Sequence, residues 1–192
     1  MLGQLMIGVL LAGVISLVIF GGIRRIGHVA ARLVPAMVVL YILCGLFILL
    51  GNITNLDNIL MLIISDAFTG HAVAGGTLGT VMITGIRRAA FSNEAGIGTE
   101  SMAHGAAITK EPVREGLVAM LGPMIDTLVV CSITGFAILS TGVWQDSNLN
   151  GISMTSAAFK AGLPFLGETV LLIIVCIFSI TTIIGYSYYG SK

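Results

Sequence analysis

The chain has 192 residues, 56% hydrophobic and 9% charged, with nine basic and nine acidic side chains and no net charge. Soluble domains carry about 25% charged residues, so this composition describes an integral membrane protein. No run of Lys or Arg exceeds two residues, which excludes the electrostatic footprint of a nucleic-acid-binding protein.

The first residues, Met1-Leu-Gly-Gln-Leu5, place no basic segment ahead of the first apolar run, so that run predicts a span over 2–23 rather than a cleaved leader. A basic loop with Arg24, Arg25 and Arg32 follows, then a second span over 33–50. Residues 55–67 form an apolar stretch too short to cross and bounded by Asp57 and Asp66, which predicts an interfacial or re-entrant helix. An interrupted span covers 79–108, and a loop with Lys110 and Arg114 leads to a span over 117–139. A connection over 142–166 precedes the last span, 167–189. No repeat or composition shift divides the chain, which reads as a single transmembrane domain, 1–192, of all-α class with five spans, one of them discontinuous.

Positive residues in short loops stay cytoplasmic. Arg24, Arg25, Arg32, Lys110, Arg114 and the terminal Lys192 fall in alternate connections, whereas the other two hold Lys160 with Asp57, Asp66 and Asp146, alongside Glu168 at the start of the last span. The expected protein is therefore multi-pass in the cell membrane, with an extracytoplasmic N-terminus and a cytoplasmic C-terminus.

Residues 85–100 place Arg87, Arg88, Glu94 and Glu100 within the interrupted span. Facing lipid, four such charges would cost roughly 10 kcal/mol, so they face protein, water or a ligand. A continuous helix over 79–108 would be about 45 Å long, more than the hydrocarbon needs. Ser92, Asn93, Gly96 and Gly98 place the break at 92–98. Peptide groups freed there bind ligands in secondary transporters, and helix N-termini facing an anionic group suit a small zwitterion such as an amino acid. The bland reading is close packing at the glycines and internal ion pairs. It is preferred for Arg87 and Arg88, paired with Glu94 or Asp126, and for Glu100 as a helix-dipole partner.

The stretch Gly85-Ile-Arg-Arg-Ala-Ala-Phe-Ser-Asn-Glu-Ala-Gly-Ile-Gly98 resembles the signature of the alanine/glycine:cation symporters, or sodium:alanine symporters. Gly21-Gly-Ile-Arg-Arg-Ile26, Gly116-Leu-Val-Ala-Met-Leu-Gly-Pro-Met-Ile-Asp-Thr-Leu-Val-Val-Cys131 and Thr182-Ile-Ile-Gly-Tyr-Ser-Tyr-Tyr-Gly190 recur in family order. The resemblance implies the fold of the amino acid–polyamine–organocation superfamily, with two inverted five-helix repeats. The chain would supply the fourth to eighth spans, leaving a complete site to need N-terminal spans.

By resemblance, Phe91, Ser92, Asn93, Glu94, Ala95, Gly96 and Gly98 line an amino-acid pocket with Thr182 and Tyr186, and Phe91 closes over the substrate. Thr181 and Thr182, with the backbone carbonyl near Phe178, are the expected sodium ligands; the bland reading has these hydroxyls bonding back to their own helix. Thr182, Tyr186 and Tyr189 share one helical face at i, i+4 and i+7, a pattern equally suited to an interfacial aromatic belt. Tyr186 stands where the family usually has Trp, Ala89 and Ala90 replace Gly-Leu, and Thr99 and Glu100 occupy a stretch usually small and neutral.

The expected function is symport of a small neutral amino acid, alanine or glycine, driven by sodium or protons. No enzymatic chemistry and no cofactor are expected, sodium serving as the coupling ion. The expected partners are the amino acid, sodium and the lipid bilayer.

Two other classes compete. An intramembrane hydrolase would use Ser92 and His104, 12 residues apart and without a nucleophile motif, and a non-transporting fragment or scaffold would need the missing spans. Asp126 is an intramembrane acid suited to a proton or sodium relay, although a structural ion pair is preferred. His104 reads as a packing histidine able to titrate near neutrality, and His28 and His71 as loop residues. Cys44, Cys131 and Cys176 lie in apolar runs without metal-ligand spacing, and Asn52-Ile-Thr54 is a weak sequon.

Overall fold

In hydrocarbon a chain must satisfy its peptide groups within itself, so each long apolar run winds into a helix. The computed structural model describes residues 2–68, 82–83, 85–88 and 97–190, and all regular structure among them is helical. Helix α1, Leu2–Ile19, ends in a tight turn in which the Phe20 N–H donates to Ser16 O at 3.0 Å and the Gly21 N–H to Val18 O at 3.1 Å. Gly22 reverses the chain with φ +70°, a left-handed conformation that glycine adopts without steric cost.

Helix α2, Gly22–Gly51, starts there, so Arg24, Arg25, His28 and Arg32 lie on its first turns and not in the expected loop. Ala, Arg and Leu favour the helix, and Gly27 alone does not stop it. Pro35 sits inside α2, where it removes one backbone bond. Buried Ile26, Met37, Tyr41 and Ile48 fall at helical spacing on one face. The Asn52 side-chain amide donates to Ile48 O at 2.9 Å and closes the C-terminus.

After a tight turn at Ile53–Asn55, helix α3 runs over Leu56–Phe68, with Asp57 in its first turn, where the helix dipole favours an acid. Within the interrupted segment, residues 82–83 and 85–88 are helical and residues 97–99 are not. Helix α4, Glu100–His104, is short: Gly105 ends it well before position 108, in turn bonds from Ala106 to Ala103 O and from Ala107 to His104 O.

Helix α5, Pro112–Thr141, opens with proline at its first position, where a missing N–H is harmless. Its turns widen to π-helix over Asp126–Cys131, three residues beyond Pro123, which lacks a donor for the ladder. Gly142 ends α5 at φ +73°.

Helix α6, Ile152–Gly162, falls inside the stretch expected to be a connection. Ser153, Thr155, Ser156 and Lys160 lower its hydropathy, but Ala158 and Phe159 are 0% exposed, so its stability comes from one packed face. Helix α7, Gly167–Gly190, covers the last expected span.

The helices α2, α5 and α7 are long and apolar enough to cross a membrane. Helix α1, with 18 residues, is about 27 Å long, slightly short of the hydrocarbon thickness.

Two compact units are present, Met1–Tyr41 with Thr169–Lys192, and Ile42–Glu168. In the first, Ile26, Ile184 and Tyr188 form a buried cluster lined by Ile15, Val18, Ile180 and Tyr189. In the second, the C-terminal part of α5 packs on α3 and α6, and Ile48, Ile59, Ile133, Ala137, Ala158 and Phe159 are buried. Close approach is built from glycine: a Cβ on Gly162 would lie 2.6 Å from Ile48 Cγ1, and one on Gly167 would strike the Phe159 carbonyl.

Because a carbonyl cannot swing aside, Gly167→Ala is expected to destabilise the protein by about 1–3 kcal/mol, whereas Gly135→Ala, whose Cβ meets nothing, should be neutral or stabilising. Thermal unfolding in detergent compares the two, and equal midpoints would contradict the packing described.

Candidate functional site

The interruption is visible at its C-terminal edge. Gly98 has φ +89°, which a side chain would strain, and the helix resumes two residues later at Glu100. The Ser101 hydroxyl donates to Gly98 O at 2.6 Å, tying the left-handed residue to the first turn of α4. Phe91, Ser92, Asn93, Glu94 and Gly96, and Ala95 with them, lie outside the described residues, as do Ala89, Ala90 and His71.

Gly98, Glu100, Ser101, His104, Thr109 and Glu115 line a cleft of about 610 Å³ between α4 and the start of α5. Residues 105–111 turn the chain back, so His104 and Glu115, 11 positions apart, meet: His104 Nδ1 lies 2.7 Å from Glu115 Oε1. Its Nε2 lies 3.7 Å from Glu100 Oε1, one turn earlier on α4. The imidazole thus stands between two carboxylates, with all three side chains about 25–30% exposed. The Glu100 carboxylate also lies beside Gly122 of α5, 3.4 Å from where a Cβ would stand.

The other expected ligands are on α7, in the other unit. The Thr181 hydroxyl lies 3.0 Å from Ile177 O and 2.9 Å from Phe178 O and donates back to its own helix. The Phe178 carbonyl therefore already has a hydroxyl partner, while the Thr181 oxygen keeps acceptor lone pairs. Thr182 is half-buried and Tyr186 exposed. The Tyr186 ring meets Tyr189 edge-on, with centroids 5.6 Å apart and planes at 70°.

Arg87 and Arg88 are exposed on a helical stretch, and Asp126 is half-buried at the start of the widened turn of α5. Ion pairs among the described residues include His104 with Glu100 and Glu115, Arg114 with Glu111, and Lys160 with Glu168. Glu94, one expected partner of Arg87 and Arg88, lies outside the described residues.

A sequence profile of the sodium:alanine symporter family matches residues 1–192, the whole chain. The chain belongs to this family. It is 41% identical over 191 residues to the sodium/alanine symporter AgcS of Methanococcus maripaludis, covering 98% of this chain and 42% of that protein. Against the probable sodium/glutamine symporter GlnT of Bacillus subtilis it is 38% identical over 187 residues, covering 97% and 39%. With the sodium/proton-dependent alanine carrier protein of Bacillus sp. strain PS3 it shares 31% identity over 199 residues, covering 96% and 45%. The chain therefore spans less than half the length of these relatives.

The sodium:alanine symporters are transporters and not enzymes, and with α2, α5 and α7 this member is a multi-pass, all-α membrane protein. Sequence reasoning missed Ser101 and Glu115 in this family member. The signal for Glu115 was its place one turn into α5 after Pro112, with Gly105 marking the reversal that returns it to His104.

Thr181→Val keeps the side-chain shape and leaves the helix carbonyls their backbone bonds, so stability in sodium-free buffer is expected to stay within about 1 kcal/mol of the parent. Thermal unfolding checks this, and a much larger loss would make the hydroxyl a structural group.

Proposed function

We propose that this chain forms part of a secondary symporter that carries a small neutral amino acid, alanine or glycine, together with sodium or protons. The observation that carries the reading is a family match over residues 1–192 in a chain whose signature segment ends in the left-handed Gly98 rather than in continuous helix. Because the chain spans under half of its relatives' length, transport is assigned to these residues acting with further spans.

In this reading the substrate lies against the break. Phe91 covers it, and Ser92, Asn93, Glu94, Gly96 and Gly98 offer side-chain and peptide groups to its charged ends. Thr182 and Tyr186 supply the wall from the last helix. The coupling cation takes oxygen ligands from Thr181, Thr182 and the Phe178 carbonyl; the lone pairs left on Thr181 support that role. Coupling needs no covalent step: Thr182 serves both cation and substrate, so gate closure is favoured only when both bind.

The basic residues Arg24, Arg25 and Arg32 at the start of α2, and Lys110 and Arg114 before and at the start of α5, support a cytoplasmic position for those ends and for the C-terminus. The short apolar helix α3 then lies at the opposite interface.

In proteoliposomes holding the longest natural chain that contains these residues, Asn93→Ala and Thr182→Ala are expected to abolish sodium-dependent uptake of labelled alanine without reducing membrane insertion. Unchanged uptake would overturn the assignments. Competition by unlabelled glycine but not glutamine is expected, and the reverse would replace the substrate class.

A further inference from the structure

The cleft between α4 and α5 holds an arrangement that substrate and cation binding leave unused. Its titratable lining groups are Glu100, His104 and Glu115. Of the other charged groups at the start of α5, Glu111 and Arg114 pair with each other at 3.5 Å, both largely exposed and outside the cleft, and Lys110 is exposed in the turn and also outside it. His104 thus has one acidic neighbour on its own helix and one on α5.

A neutral imidazole has one N–H donor and one lone pair. With the proton on Nδ1 it donates across 2.7 Å to Glu115, and the Nε2 lone pair faces Glu100 Oε1 at 3.7 Å, where two electron-rich atoms repel. The other neutral tautomer is worse, since it sets a lone pair 2.7 Å from a carboxylate. The imidazolium donates to Glu115 and sets a positively charged Nε2–H against Glu100, 3.7 Å away. One proton taken from water at Nε2 therefore turns a bond to α5 into a charged bridge between Glu100 and Glu115.

We propose that Glu100, His104 and Glu115 form a proton-binding site that, when occupied, clasps α4 to α5. The clasp reaches the break because Ser101, on the same short helix, holds Gly98 O at 2.6 Å. Proton occupancy thus fixes the turn at which the interrupted helix resumes. The sign follows from the charges: the clasp is present while the imidazole is protonated and both carboxylates are ionised, and it loosens when that proton leaves. Its link to transport rests on the function proposed above, whereas the proton site itself does not.

The test places nitroxide labels on Met102→Cys and Val118→Cys, both at exposed positions of α4 and α5, in a cysteine-free background of the longest natural chain in nanodiscs. Dipolar spectra are compared at about pH 5.5 and about pH 8.5, either side of the usual imidazole range. The expected result is a narrow separation at the lower pH that broadens at the higher, a difference lost in His104→Gln and in Glu115→Gln. His104→Lys, with a fixed charge, is expected to stay narrow at both. A pH-independent spectrum in the parent, or a pH response that survives His104→Gln, would overturn the proposal. Alanine uptake measured on the same samples separates the two readings: spectra that respond to pH in a protein that moves no alanine uphold the proton site and remove the symport reading.

Discussion

An unpartnered peptide group costs several kcal/mol in hydrocarbon, and the whole architecture follows from that penalty. It makes the long apolar runs helical, and it means that a helix interrupted at membrane depth must stop against protein, water or a ligand. Gly98, at φ +89°, is non-helical backbone tied by the Ser101 hydroxyl to a helix that starts two residues later. Nearby, Glu100 lies beside Gly122 on α5 and within reach of His104.

Hydroxyl groups along the spans answer the penalty locally. Thr134, Thr141, Ser179, Thr181 and Ser187 each donate to a carbonyl three or four residues earlier in their own helix. Thr181 therefore needs no ligand to be satisfied, yet its oxygen can still accept a cation. That dual state suits a reversible site, since losing the cation leaves no orphaned donor behind.

Hydropathy and length made α2, α5 and α7 legible, and the bounding aspartates located α3. Helix α6 was hidden because an 11-residue helix carrying serine, threonine and lysine leaves no long apolar run, and only the packing of Ala158 and Phe159 reveals it. The basic residues of α2 were read as a loop because charge was taken to mean connection, whereas nothing between Gly22 and Pro35 stops a helix. In the cleft, Gly98 and Glu100 were visible from composition and spacing. Glu115 was not, since Gly105 and Pro112 mark a turn but not which side chains that turn brings together.

The central claim is that the break around residues 91–98 faces the transported amino acid. A single-cysteine scan of those positions in the longest natural chain, reacted with a membrane-impermeant maleimide, tests it most directly. Alanine with sodium is expected to protect Ser92→Cys and Asn93→Cys from labelling, while sodium alone protects less and Ile108→Cys, far outside the break, is unaffected. Labelling at both positions that is indifferent to alanine and sodium would contradict the account.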